Sequence, residues 1–199
     1  MTLIYFVNQI LAIGTIIGQV LIIWAFIHLL FYQKKENFIS KFIGRNGVLL
    51  AFIVVLASII GSLFYSEVVG YVPCTLCWYQ RIFMYPQIIL LGFTIFKKNE
   101  EVIKYSIGLS AMGALLALYH YLLQFNLFSG LPCPALGSSV SCTKLFVREF
   151  GYITLPLMSF TAFLMITVFL VLYRSVESEH ESAWEVKKWD NFNVSCDEI

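Results

Sequence analysis

The stretch PCTLCWYQRIFMYPQIILLGFTIF, residues 73–96, places two cysteines directly before a long apolar run. Cys74 and Cys77 form a Cys-x-x-Cys pair, and Arg81 follows Cys77 by one helical turn, on the same face. Helix N-termini carry partial positive charge and free N–H groups, which favour the thiolate form that attacks disulfides. The stretch therefore predicts a reactive cysteine pair at the end of a membrane helix.

The composition of the whole chain indicates a lipid environment. Of its 199 residues, 59% are hydrophobic and 13% are charged, against about 45–50% and about 25% in a soluble domain. A soluble domain of this length could not bury so much apolar surface. The net charge of +1 and the lack of any nucleic-acid-binding motif exclude nucleic acid as an expected partner.

Five apolar blocks are long enough to cross a bilayer, which takes about 20 residues of helix. They run over residues 3–32, 47–69, 78–96, 102–125 and 152–173, approximately. The first block lacks the basic start and the cleavage site of a signal peptide, so we expect it to be retained. The predicted fold class is an all-α integral membrane protein.

The basic residues predict its orientation, because cytoplasmic loops collect Lys and Arg. Ten of the thirteen would lie on one side: Lys34, Lys35, Lys41, Arg45, Lys97, Lys98, Lys104, Arg174, Lys187 and Lys188. The other side would hold Arg81, Lys144 and Arg148. This distribution predicts an external N-terminus and a cytoplasmic tail.

Four of the five cysteines fall in the two long loops that this topology places outside, where disulfides persist. Cys74 and Cys77 lie between the second and third helices, and Cys133 and Cys142 between the fourth and fifth. Cys196 falls in the tail, and we expect it to be dispensable.

Three interpretations of the two pairs compete. They could be structural disulfides that pin the loops, or a four-cysteine zinc site, although eight residues separate Cys133 from Cys142, more than zinc spacing favours. They could instead exchange electrons, which the helix start and Arg81 favour. Arg81 could alternatively extend to lipid head groups.

His120, near the outer end of the fourth helix, is a functional candidate because polar groups at that depth usually face the bundle interior.

Residues 73–86, PCTLCWYQRIFMYP, resemble the signature of the DsbB family, particularly its shorter BdbC-like branch. The resemblance extends over about residues 46–174 and includes His120 and Pro156. It implies a four-helix transmembrane bundle over 46–174. Residues 1–45 would then be an extra transmembrane helix with a basic linker, and residues 175–199 a polar cytoplasmic tail.

The resemblance also implies an activity, a bacterial inner-membrane oxidoreductase that reoxidises a soluble, extracytoplasmic, DsbA-like thioredoxin-fold thiol oxidase. The partner would attack Cys133, and electrons would pass through Cys133–Cys142 and Cys74–Cys77 to a membrane quinone, either ubiquinone or menaquinone. Cys77, Arg81 and His120 would contact the quinone, and no metal is expected.

Three features matter as departures. The first helix has no counterpart in the family, and Gln80 stands where some relatives have an acidic residue. The Cys133–Cys142 spacing is short, which resembles the BdbC-like branch and leaves no room for the longer loop helix of other members. A rival family, vitamin K epoxide reductase, also sets a Cys-x-x-Cys against a quinone, but its loop cysteines precede that motif. Here Cys133 and Cys142 follow it. A rival from another class is a non-catalytic membrane adaptor with structural disulfides.

Overall fold

In the computed structural model, the described residues form five α-helices and no sheet. The helices are α1 (Thr2–Phe31), α2 (Phe38–Leu63), α3 (Thr75–Lys97), α4 (Glu101–Gln124) and α5 (Leu155–Cys196), and a π-helical turn, Phe64–Val68, extends α2. The structure describes the backbone of residues 2–31, 38–97, 101–125, 142–143 and 145–196, with side chains except those of 28–31, 38–43 and 177–196. The predicted all-α class is confirmed.

Four of these helices contain a segment long and apolar enough to cross a membrane: Thr2–Ile27, Gly44–Val68, Glu101–Gln124 and Leu155–Val176. Helix α3, with 23 residues, has the length but is less apolar. The reason is that Gln80 and Gln87 lie buried inside the bundle rather than facing lipid. Outward-facing positions of α1 are apolar, as Phe6 and Ile17 illustrate. The chain is a multi-pass membrane protein.

Helices α2, α3, α4 and α5 form a ring in which each packs on the next, and α1 lies outside the ring against α5. Glycines permit the closest approaches. A Cβ atom on Gly47 would lie 2.5 Å from the carbonyl oxygen of Phe169, and one on Gly113 would overlap the ring of Phe163. Small residues at such contacts are how membrane helices approach one another closely.

The two ends of the bundle differ in chemistry. Cys74 and Cys142 lie at one end, here called the cysteine end, where α1 also begins. Arg45, Lys97, Lys104 and Arg174 lie towards the opposite ends of their helices, here called the basic end. The side chains of the other six residues predicted to lie with them are outside the described part.

Two helices are longer than the sequence predicted. Helix α2 begins at Phe38, within the predicted linker, and α5 continues through the polar tail to Cys196, giving it 42 residues. Residues 175–196 contain neither glycine nor proline, so nothing in that sequence ends the helix. The side chain of Cys196 is outside the described part.

Candidate redox site

The Cys-x-x-Cys pair caps the N-terminus of α3. The backbone N–H of Trp78 donates to the carbonyl oxygen of Cys74 at 3.2 Å, which makes Cys74 the residue before the first helical turn. Pro73 precedes it and restricts the backbone there. Cys74 is buried and Cys77 half-buried, and their sulfurs lie 3.3 Å apart as free thiols. The pair thus stands at the helix start that the sequence predicted.

The surroundings of Cys74 stabilise its thiolate. A hydrogen bond from the Cys77 thiol, together with the hydrogen bond from His120 and the backbone N–H of Cys77, lowers the pKa of Cys74 from 9.0 to about 4, although burial opposes the shift. We place the shared proton on Cys77 because Cys74 receives these additional donors. A thiolate next to a thiol is the reactive form of a dithiol.

His120 connects the two cysteine loops. Its Nε2 lies 3.7 Å from the Sγ of Cys74 and 3.2 Å from the carbonyl oxygen of Cys142, and its Nδ1 lies 3.1 Å from the side-chain nitrogen of Gln80. Because an amide nitrogen only donates, Nδ1 accepts this bond and the ring proton sits on Nε2. Gln80 therefore orients the ring so that its N–H faces the cysteines.

Cys142 is disulfide-bonded and buried. It packs in one cluster with Cys74, Leu76 and Leu123, so the structure brings the two predicted pairs together at this end of the bundle. Cys133 lies outside the described residues. Of the three cysteines with described side chains, Cys142 alone is in a disulfide, and Cys74 and Cys77 are free.

A cavity of about 440 Å³ lies on the other side of the Cys-x-x-Cys pair. Cys77 and Arg81 line it, with mostly apolar side chains from α1, α2 and α5. Its volume is within the range of small-molecule sites, about 300–1,000 Å³. His120 is not among the lining residues; it lies behind Cys74 instead. Cys77 thus faces the cavity, and Cys74 faces the loop of Cys142.

Arg81 is held in place at the cavity wall. Its Nε donates to the hydroxyl of Ser62 at 2.9 Å, and one terminal nitrogen donates to the Ser62 carbonyl oxygen at 2.9 Å. Its guanidinium also lies 5.3 Å from the ring centre of Trp78. A guanidinium has five N–H groups, of which these bonds to Ser62 use two. The others suit an anionic or carbonyl oxygen in the cavity.

A metal could bind at the same place. The sulfurs of Cys74 and Cys77 and a ring nitrogen of His120 lie within 4.8 Å of one another. A structural zinc site takes four protein ligands, and in the described part no fourth Cys, His, Asp or Glu joins the three. The expectation of no metal stays a prediction.

Sequence reasoning missed several residues of this site. Ser62, which holds Arg81, and Gln80, which orients His120, each act across a helix interface, and neither belongs to a spacing pattern. The one usable signal was Gln80 itself, a polar residue inside an apolar helix. Two aromatic residues of α3 differ in their surroundings. Trp78 is exposed, and Tyr85 lines the cavity.

A helical membrane bundle that joins a free dithiol, a buried disulfide and an apolar cavity defines the class of membrane thiol–disulfide oxidoreductases. The family model described as disulfide bond formation protein DsbB matches residues 44–173. This chain belongs to the DsbB family.

Curated relatives agree with that assignment. The chain is 39% identical over 131 residues to "Disulfide bond formation protein C" of Bacillus subtilis, covering 65% of this chain and 93% of the relative. It is 43% identical over 122 residues to the "SPbeta prophage-derived disulfide bond formation protein B" of the same organism, covering 61% and 81%. A "Probable disulfide formation protein" of Oceanobacillus iheyensis is 41% identical over 129 residues, covering 65% and 89%. No solved structure matches the chain.

Proposed function

We propose that this protein reoxidises a soluble DsbA-like thiol oxidase and passes the electrons to a membrane quinone. One arrangement carries the proposal: Cys74 packs beside Cys142, while its partner thiol, Cys77, lines a mostly apolar cavity next to Arg81. A dithiol in this position can receive electrons from the Cys142 pair once a partner has reduced that pair, and it can pass them to an acceptor bound in the cavity.

The first exchange reduces the loop disulfide. A thiolate of the partner attacks Cys133, the Cys133–Cys142 bond breaks, and Cys142 leaves as a thiolate. The partner's second thiol then attacks the mixed disulfide, so the partner leaves oxidised and Cys133 and Cys142 are both reduced. Two electrons and two protons have entered the protein.

The second exchange moves these electrons inward. Cys142 attacks the sulfur of Cys74 in the oxidised Cys74–Cys77 pair, and Cys77 leaves as a thiolate. Cys133 then displaces Cys74, which re-forms the Cys133–Cys142 disulfide. His120 supports this step because its Nε2–H lies within reach of both Cys74 and the backbone of Cys142.

The cavity fits a quinone by chemistry. Its wall is largely apolar, as an isoprenoid-tailed molecule requires, and Arg81 provides N–H donors for a ring oxygen. A quinone takes up two electrons and two protons, which matches what the Cys74–Cys77 dithiol releases when it returns to the disulfide. A DsbA-like partner is itself a strong oxidant, so only an acceptor that is more oxidising still can keep it oxidised. For two electrons, a difference in potential of ~30 mV is worth ~1.4 kcal/mol.

We place the cysteine end on the outer side of the bacterial cytoplasmic membrane. The described basic residues lie at the opposite end, as expected for cytoplasmic loops, and the disulfide at Cys142 suits an oxidising compartment.

Purified protein tests the proposal directly. With reduced thioredoxin-fold partner and a short-chain quinone, we expect partner thiols and quinone to disappear in equal amounts. Cys77→Ser should abolish quinone consumption, whereas Cys196→Ala should behave as wild type. Quinone turnover that continues in Cys77→Ser would reject the route, and a wild-type protein that reduces no quinone would reject the acceptor.

A further inference from the structure

We propose that α1, which lies outside the family match, is part of the electron-acceptor site, with Gly14 leaving the space that the acceptor occupies. The proposal rests on the proposed function and adds to it. The matched segment, residues 44–173, begins after α1. Nevertheless, residues 10, 11, 14 and 15 of α1 line the same cavity as Cys77 and Arg81.

The gap that α1 covers follows from the packing of α2 and α5. Gly47 brings the two helices into contact towards the basic end. Towards the cysteine end, the cavity lies between the two helices. It is lined by residues within 53–66, from α2 and its π-helical turn, and by residues within 155–165 of α5. Without α1, the four-helix ring would leave this side of the cavity without a protein wall.

Helix α1 is fixed across the gap by contacts with both neighbours. A Cβ on Gly18 would meet the sulfur of Met165 on α5 at 2.5 Å, and a Cβ on Gly61 of α2 would lie 3.6 Å from Leu11. The α1 backbone thus approaches α5 closely, while Leu11 reaches α2. Between these contacts, Gly14 has no neighbouring atom within 4 Å of a Cβ position. Gly14 is exposed and also lines the cavity, so the open space beside it lies at the cavity wall.

Polar residues of α1 connect this wall to the rest of the site. The hydroxyl of Tyr65, a buried residue that lines the cavity, donates to the side-chain oxygen of Asn8 at 2.8 Å. Asn8 and Gln9 each place an amide nitrogen 3.4 Å from a carboxylate oxygen of Glu149. The backbone of Glu149 is paired with Ile153, so α1 is joined to an ordered turn in the segment that follows Cys142. These amides explain why an otherwise apolar helix carries polar residues at its start.

The test compares two glycines in the full-length protein. Gly14 and Gly108, on α4, are both exposed helical positions where a Cβ meets nothing within 4 Å, but only Gly14 lines the cavity. Leucine favours helix over glycine, so neither Gly14→Leu nor Gly108→Leu should impair folding. A photoreactive azidoquinone is used as the probe, with labelled peptides mapped by mass spectrometry and Michaelis constants measured for quinone and for the reduced partner.

We expect the azidoquinone to label the α1 peptide that contains Gly14 in the wild type and in Gly108→Leu. In Gly14→Leu, labelling should fall and the Michaelis constant for quinone should rise several-fold, with a smaller rise in Gly14→Ala and no change for the partner. Absence of α1 labelling in an active wild type, identical behaviour of the two leucine variants, or an equal loss for quinone and partner would each overturn the role of α1. A wild type that neither binds nor reduces quinone would instead reject the proposed function, and this inference with it.

Discussion

The Nε2 atom of His120 lies 3.7 Å from the sulfur of Cys74, and it also lies 3.2 Å from the carbonyl oxygen of Cys142. One imidazole N–H therefore faces the thiolate of the inner pair and the backbone of the loop disulfide. Its ring is fixed from behind by Gln80. In the proposed route this is where electrons move from one pair to the other.

Replacement of His120 should raise the pKa of Cys74. A hydrogen bond to a charged group is worth ~1.5–3 kcal/mol, which corresponds to about one to two pKa units. In His120→Phe, we expect thiolate absorbance in the ultraviolet to titrate at a pH higher by about that amount, and turnover to require more alkaline conditions. Gln80→Leu should produce a smaller shift in the same direction. An unchanged titration in His120→Phe would mean that the ring does not stabilise the thiolate.

The lowered pKa of Cys74 in the wild type determines how this group changes the folding stability with pH. Because the pKa of Cys74 is lowered from 9.0 to about 4, the folded protein binds fewer protons than the unfolded chain between these values. This group therefore favours the folded state most strongly above pH 9, and the contribution is lost as the pH falls through about 4. In reduced protein we expect thiolate absorbance to persist at neutral pH and to disappear near pH 4. A midpoint near 9 would contradict the arrangement around Cys74.

Substitutions at Arg81 should act on the acceptor rather than on the partner. Arg81→His removes the guanidinium group, which binds Ser62 and lines the cavity. We therefore expect a higher Michaelis constant for quinone and an unchanged one for the reduced partner. Ser62→Ala removes one of the two hydrogen bonds, worth ~1 kcal/mol or about fivefold, and should have the weaker effect. If both variants bind quinone as the wild type does, Arg81 has a structural role only.

The sequence predicted the elements of the site better than their contacts. The Cys-x-x-Cys motif and the following apolar run were sufficient to predict a dithiol at a helix start, because both are properties of consecutive residues. The contact of His120 with Cys74 joins residues 46 positions apart and depends on how α3 and α4 pack. The contacts of α1 are unpredictable for the same reason: Asn8 and Gln9 are polar residues in an apolar helix, but their partner, Glu149, is 141 and 140 residues away.

The proposed orientation predicts a labelling pattern in intact cells. A membrane-impermeant maleimide should reach the Cys133–Cys142 pair only after treatment with a reductant, because Cys142 is disulfide-bonded. Cys196 should react only after the cells are permeabilised, since the basic end is placed in the cytoplasm. Labelling of Cys196 from outside, or failure to label Cys133 after reduction, would contradict the proposed orientation. Variants that lack Cys196, or that lack Cys74 and Cys77, show which cysteine gives each signal.

Close packing of α4 on α5 should make Gly113 intolerant of a side chain. A Cβ there would overlap ring atoms of Phe163, which is fully buried and cannot move aside without displacing its neighbours. Overpacking of this kind costs about 1–3 kcal/mol, so Gly113→Leu should lower the thermal unfolding midpoint in detergent. Gly108→Leu, on the same helix but with open space around it, is the matched control and should keep or raise the midpoint. If Phe163→Leu restores the midpoint of Gly113→Leu, the loss arises from this contact; equal midpoints for the two glycine variants would show that α4 and α5 do not approach as closely as described.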